Sequence, residues 1–143
     1  MPSIRAARRE DAARLPDLSR QLGYAVTDED VAARLDVLLA RPDHAILVAE
    51  EAGDVVGWIQ VSLSVLVESP LTAVVGGLVV DERHRRRGLG ALLLREADLW
   101  ARRYGAARLR VPCNVTRADA HRFYEREGFR EVKKQKIFER AVE

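Results

Sequence analysis

Cysteine occurs once in these 143 residues, at Cys113, so no internal disulfide can form and a disulfide-stapled scaffold is excluded. Aromatic residues make up only 6%, and neither sign of charge prevails, since 24 Lys and Arg against 22 Asp and Glu leave a net charge of +2. With a sequence pI near 9.0, that balance makes basicity local and gives nucleic acid no broad footprint. Long apolar runs are missing as well. None approaches the ~20 residues of a membrane span, and the N-terminus lacks a signal peptide's apolar region, so neither a membrane nor export is expected. The histidines His44, His84 and His121 have no two-ligand spacing with another metal-binding residue, so no metal is expected. What remains is a cytoplasmic chain, 48% hydrophobic, read as one domain over residues 1–143.

What is present gathers around Val79-Val80-Asp81-Glu82-Arg83-His84-Arg85-Arg86-Arg87-Gly88-Leu89-Gly90-Ala91-Leu92-Leu93. An apolar strand runs into a knot of arginines, then glycines, then a helix with apolar residues at helical spacing. Glycines before a helix let the backbone approach a ligand, and the helix's first N–H groups lack intrahelical partners, so an anion is the natural guest. Arginines add charge and bidentate phosphate geometry. A nucleotide P-loop requires Lys-Ser or Lys-Thr after the last glycine, but Ala91 and Leu92 follow Gly90. A dinucleotide fingerprint requires a third glycine where Leu93 stands. A solvated arginine turn is the plain alternative.

The remaining pattern predicts a strand at Ile4–Ala7, a helix from near Asp11 to Gly23, and a second helix from Thr27 to about Ala40. Two β runs, 45–50 and 55–63, make a hairpin. Glu68-Ser69-Pro70 breaks the chain before an almost wholly apolar strand, 73–80, whose Gly76-Gly77 pair signals a bulge or a close approach. The helix after the arginines buries Leu89, Leu92, Leu93, Ala97, Trp100 and Tyr104, and Gly105 caps it. A strand at 107–111, a helix at 117–127 and a final extended stretch from Phe129 to Phe138 complete the chain. This order implies an α/β (α+β-like) fold: a mixed, mostly antiparallel central sheet flanked by helices.

Arg85-Arg86-Arg87-Gly88-Leu89-Gly90 has the form Arg-x-x-Gly-x-Gly and resembles the pyrophosphate loop of the GNAT superfamily of N-acetyltransferases. Downstream, Asn114 followed by Ala118, Tyr124 and Gly128-Phe129 resembles that superfamily's second motif. The resemblance implies the GNAT fold and transfer of an acetyl group from acetyl-coenzyme A to a primary amine of a small molecule or peptide. On it, the loop holding Arg85, Arg86, Arg87, Gly88, Leu89, Gly90 and Ala91 takes the pyrophosphate. Val80 and its neighbours pair with the pantetheine arm, Leu78 helps offer an N–H to the thioester carbonyl, and Asn114 bonds the arm. Tyr124 is the implied proton donor to the leaving thiolate. The strand carboxylate of some relatives is absent, since Ala73, Val74 and Val75 stand there, and Glu68 is the candidate base. Tyr24, Asp28 and Glu29 fall where relatives line the acceptor cleft. Many relatives form homodimers, in which the Lys-rich last strand would be an edge. The alternative is an acyl-coenzyme A sensor or interaction module without turnover.

Overall fold

A computed structural model describes residues 2–142. The chain falls into two compact units, Met1–Pro112 and Cys113–Glu143. The first holds a five-stranded sheet in sequential order: β1 (Ser3–Ala6), β2 (His44–Glu51), β3 (Asp54–Leu66), β4 (Ser69–Val80) and β5 (Arg108–Arg110). All neighbours are antiparallel except β4 and β5, which run parallel on either side of the crossover helix α3 (Leu89–Arg103). The mixed, mostly antiparallel sheet is therefore the one the sequence implied.

Local chemistry explains most of the element boundaries. Ala52 and Gly53, with φ of 53° and 84°, join β2 to β3 through the left-handed turn that matches strand twist. The first predicted helix is instead a 3-10 turn, Arg9–Ala13, followed by α1 (Leu15–Gln21). Asp11 holds that turn, because its carboxylate accepts from the Arg8 N–H at 2.7 Å and from the Arg5 guanidinium twice at 2.9 Å. Pro16 then suits the first turn of α1, where its missing N–H costs nothing. Thr27 caps α2 (Asp28–Leu39) by accepting from the Asp30 N–H at 3.0 Å.

The predicted break at 68–70 is corrected. β4 starts at Ser69, which pairs with Leu66 across a tight turn, and Pro70 falls at a register irregularity where the ladder asks for no N–H. Nor is β4 buried on both faces. Ala73, Val75 and Val79 are buried, whereas Val74, Leu78 and Val80 are only half covered.

On one side Leu15 and Leu18 of α1 and Leu35 of α2 close over Ile46, Val48, Val55 and Val79. Helix α3 buries Leu89, Leu93, Leu94, Ala97, Trp100 and Ala101. Its stripe leans one residue round from the expected one, leaving Leu92 and Tyr104 exposed and taking Leu94 and Ala101 inside.

The second unit contains α4 (Ala118–Arg126), closed by Gly128 at φ 93° and by a bond from the Phe129 N–H to the Tyr124 carbonyl at 3.0 Å. The predicted final strand does not form: residues 129–142 hold neither helix nor strand. A strand needs a ladder partner for its N–H and C=O groups, and this unit offers none among the described residues. The dimer edge assigned to that strand goes with it.

Candidate active site

The end of β4 leads directly into the arginine loop, and Asp81 fixes the junction. Its carboxylate has no solvent exposure; it pairs with the Arg14 guanidinium and accepts from the Arg83 N–H at 3.1 Å. Burial alone would raise its pKa, but the Arg83 bonds and the Arg83 and Arg14 charges prevail and lower it to about 2. The chain then turns through two left-handed residues, Arg86 at φ 64° and Gly88 at φ 78°, before α3 begins at Leu89. Among the described residues, none of the backbone amides from Arg85 to Ala91 donates a hydrogen bond within the chain. Successive free N–H groups ending at a helix N-terminus make an anion cradle.

The arginine side chains rest on other partners. Arg85 Nε donates to the Val80 carbonyl at 3.0 Å, and Arg87 pairs with Glu51 at 2.6 Å, while Arg86 has no ion-pair partner among the described residues. A pyrophosphate would therefore meet the amides first and draw the guanidinium groups over.

Beside this loop, the outer edge of β4 is open. Strand β5 pairs with it only at Thr72–Val74, so Val75 to Val80 have no strand partner on that side among the described residues. On the other side Val80 faces Gly57 and Leu78 faces Ile59 of β3. The expected bulge is present: Gln60 pairs with Gly77 and Val61 with Val75, leaving Gly76 as the extra residue. Gly77 is required there because an added Cβ would lie 2.6 Å from Cη2 of Trp58.

That indole lines a pocket of about 200 Å³ with Leu15, Tyr24, Arg34, Leu38 and Gln60 among its walls. Tyr24, expected at an acceptor cleft, lines this pocket. Asp28 instead pairs with Arg20 at 2.6 Å, and neither it nor Glu29 lines the pocket.

In the second unit, Asn114 opens the turn before α4. Its side-chain oxygen accepts from the Thr116 N–H at 3.1 Å and the Thr116 hydroxyl at 3.0 Å, while its carbonyl meets His121 Nε2 at 2.8 Å. The side-chain NH₂ is left for another acceptor. Tyr124 packs edge-on against Phe123 and Phe129, with ring centroids 5.2 Å and 5.8 Å away. Burial, and then the neighbouring Cys113 sulfur, raise its pKa against the opposing pull of Arg117. The phenol keeps its proton through neutral pH.

Glu68 is not brought to the loop. It sits exposed in the β3–β4 turn, roughly 30 Å along the strand from Gly77 at ~3.3 Å per residue. Asp81, Trp58, Gln60 and Arg34 belong to no motif that the sequence displays. Only Asp81 had a local signal, as the acid placed directly between the apolar strand and the basic run.

A mixed sheet with an open strand edge, a run of free amides at the end of that strand and a crossover helix after it defines the class of fold. The chain belongs to the acetyltransferase (GNAT) family, which residues 10–129 match. It is an N-acetyltransferase with acetyl-coenzyme A as its cosubstrate. It is 32% identical over 115 residues to the aminoalkylphosphonate N-acetyltransferase of Salmonella typhimurium, covering 80% of this chain and 72% of that one. Over 119 residues it is 27% identical to the aminoglycoside N(6′)-acetyltransferase type 1 of Serratia marcescens, covering 80% and 82%. An aminoglycoside N-acetyltransferase solved in complex with coenzyme A superposes with a TM-score of 0.90 at 17% identity, over 99% of this chain and 96% of that one. That last likeness speaks for the fold alone.

Proposed function

We propose that residues 1–143 act as one domain that acetylates the primary amine of a small molecule by direct attack on acetyl-coenzyme A. The observation that carries the reading is the run of free amides from Arg85 to Ala91, set at the end of a strand whose outer edge is open. Those amides take the pyrophosphate, and Arg85, Arg86 and Arg87 leave their resting partners to screen its charge. The backbone at Leu78 and Val80 takes the pantetheine arm, together with the free NH₂ of Asn114. A family match running from residue 10 to 129 supports treating both units as one domain.

In the transfer, the acceptor nitrogen attacks the thioester carbonyl carbon; the C–N bond forms as the C–S bond breaks. A strand N–H at the bulge holds the transient charge on oxygen. Tyr124 gives its proton to the leaving thiolate and regains one from water, to which the new amide nitrogen has released its own. A lysine-like ammonium must first lose a proton, at a cost of about 4 kcal/mol at neutral pH. No carboxylate lines the pocket among the described residues, so water takes that proton too, and Glu68 has no part in the step. Two relatives, one named for an aminoglycoside and one for an aminoalkylphosphonate, support a small-molecule acceptor. A reducing, cytoplasmic setting is supported by the free thiol of Cys113.

The test is coenzyme A release from acetyl-coenzyme A across a panel of amines. Turnover should occur with at least one small amine and rise with pH as the acceptor deprotonates. Tight cosubstrate binding without turnover on any amine would leave the sensor reading in its place.

A further inference from the structure

We infer that the acceptor is a small amine bearing a second, anionic group, a carboxylate or a phosphonate, which Arg34 holds; this rests on the acetyltransferase reading above and names its substrate class. Size comes first. The pocket beside the bulge measures about 200 Å³, below the ~300–1,000 Å³ of sites for drug-sized ligands. A molecule the size of an amino acid fits within it.

Charge points the same way. A polycationic acceptor calls for carboxylates, yet among the described residues the only charged side chain lining this pocket is Arg34, set against Leu15, Val31, Leu35, Leu38 and Ile46. Of the acids on α1 and α2, Asp17 and Asp28 pair with Arg20 at 2.8 Å and 2.6 Å and Asp36 with Arg9 at 3.0 Å, while Glu29 and Asp30 do not line the pocket. Asp30, one turn before Arg34 on α2, forms no ion pair with it among the described residues. The guanidinium therefore keeps its whole fork of donors, whose planar geometry matches a carboxylate or phosphonate twice over.

A second observation is independent of the first. The indole Nε1 of Trp58, which also lines the pocket, is buried with no hydrogen-bond partner. Buried donors are nearly always satisfied, so an oxygen of the bound acceptor completes this one if the indole turns its N–H into the pocket. Because Trp58 stands over Gly77 and Gln60 pairs with it, the wall carrying this donor is also the wall at the bulge where acetyl transfer is assigned. Arg34 holds the acceptor's tail from α2, and the amine is left to the strand side.

The test uses 4-aminobutyrate, 3-aminopropylphosphonate, butylamine and kanamycin as acceptors, and measures both turnover and calorimetric binding to the protein–coenzyme A complex. The anionic probes should bind best; comparing the carboxylate with the phosphonate decides which anion is preferred. Arg34→Gln should raise KM and Kd for the anionic probes by about 10–100-fold while leaving butylamine and the acetyl-coenzyme A KM unchanged, and Arg34→Lys should recover part of the loss. Anionic probes that bind without turning over would sink the catalytic reading and leave this one standing. Kanamycin or butylamine binding better than both anions, or Arg34→Gln affecting all probes alike, would overturn it.

Discussion

At Asp81 a carboxylate shut away from solvent bonds to Arg14 and to the backbone of Arg83, so one side chain ties α1 and the end of β4 to the start of the anion loop. Asp81→Asn keeps the shape but leaves Arg14 with only Asp17, 3.7 Å away, as counter-charge. Losing a hydrogen bond to a charged group costs ~1.5–3 kcal/mol, which urea unfolding at pH 7 should read, and a misplaced loop should raise the acetyl-coenzyme A KM. The pH dependence follows from the carboxylate's pKa of about 2, well below its ordinary value of 3.8. A depressed folded-state pKa stabilises the fold above the unfolded value and loses that effect as pH falls through the folded one. The stability gap between wild type and Asp81→Asn should accordingly be widest above about pH 4 and narrow toward pH 2. A gap that stays constant over that range would mean the charge on Asp81 is not what holds the loop.

At the scale of elements, the contrast between two neighbouring glycines gives a sharper test than either alone. Gly76→Ala meets nothing closer than the Gln60 carboxamide carbon at 4.0 Å, whereas Gly77→Ala puts a methyl 2.6 Å from the Trp58 ring. Overpacking of that kind typically costs ~1–3 kcal/mol. Because the ring also lines the acceptor pocket, Gly77→Ala should raise the acceptor KM several-fold and lower Tm, while Gly76→Ala should be close to wild type in both. Equal behaviour would show that the indole moves aside freely. This bulge was legible because paired glycines inside an apolar strand have few other uses. The β2–β3 hairpin, the Thr27 cap and the crossover helix were legible for the same reason, since each is set by residues within a turn or two. The start of β4 was not, because Pro70 and Glu68 are turn formers by local chemistry, and only pairing with β3 draws Ser69 into the ladder. Long-range pairing with Glu51 likewise hid the resting place of Arg87.

Over the whole molecule, the fold's order and its anion cradle could be read from sequence, whereas the acceptor pocket could not. Its walls come from α1, α2, β2 and β3, and residues such as Arg34 and Trp58 acquire a role only once those elements meet. The last strand failed for the converse reason: Val132, Ile137 and Phe138 have the composition of a strand, and nothing among the described residues of the second unit pairs with them. Tyr124 belongs to that same unit, so its part in catalysis is a question about the full chain. Tyr124→Phe should lower kcat by ~10²–10⁴-fold, the usual contribution of a general acid, and leave acetyl-coenzyme A affinity nearly untouched. The reason lies in timing, since the phenol meets a charged sulfur only as the C–S bond breaks, and an interaction made in the transition state appears in kcat. Phenylalanine keeps the edge-on contacts with Phe123 and Phe129, so Tm should hold. The pH profile separates the roles further. With the phenol's pKa raised by burial, wild-type kcat should climb with pH as the acceptor loses its proton and turn down only above the ordinary tyrosine range, and the variant should lack the downturn. Full kcat in Tyr124→Phe with a lowered Tm would make Tyr124 a packing residue and leave water to protonate the thiolate.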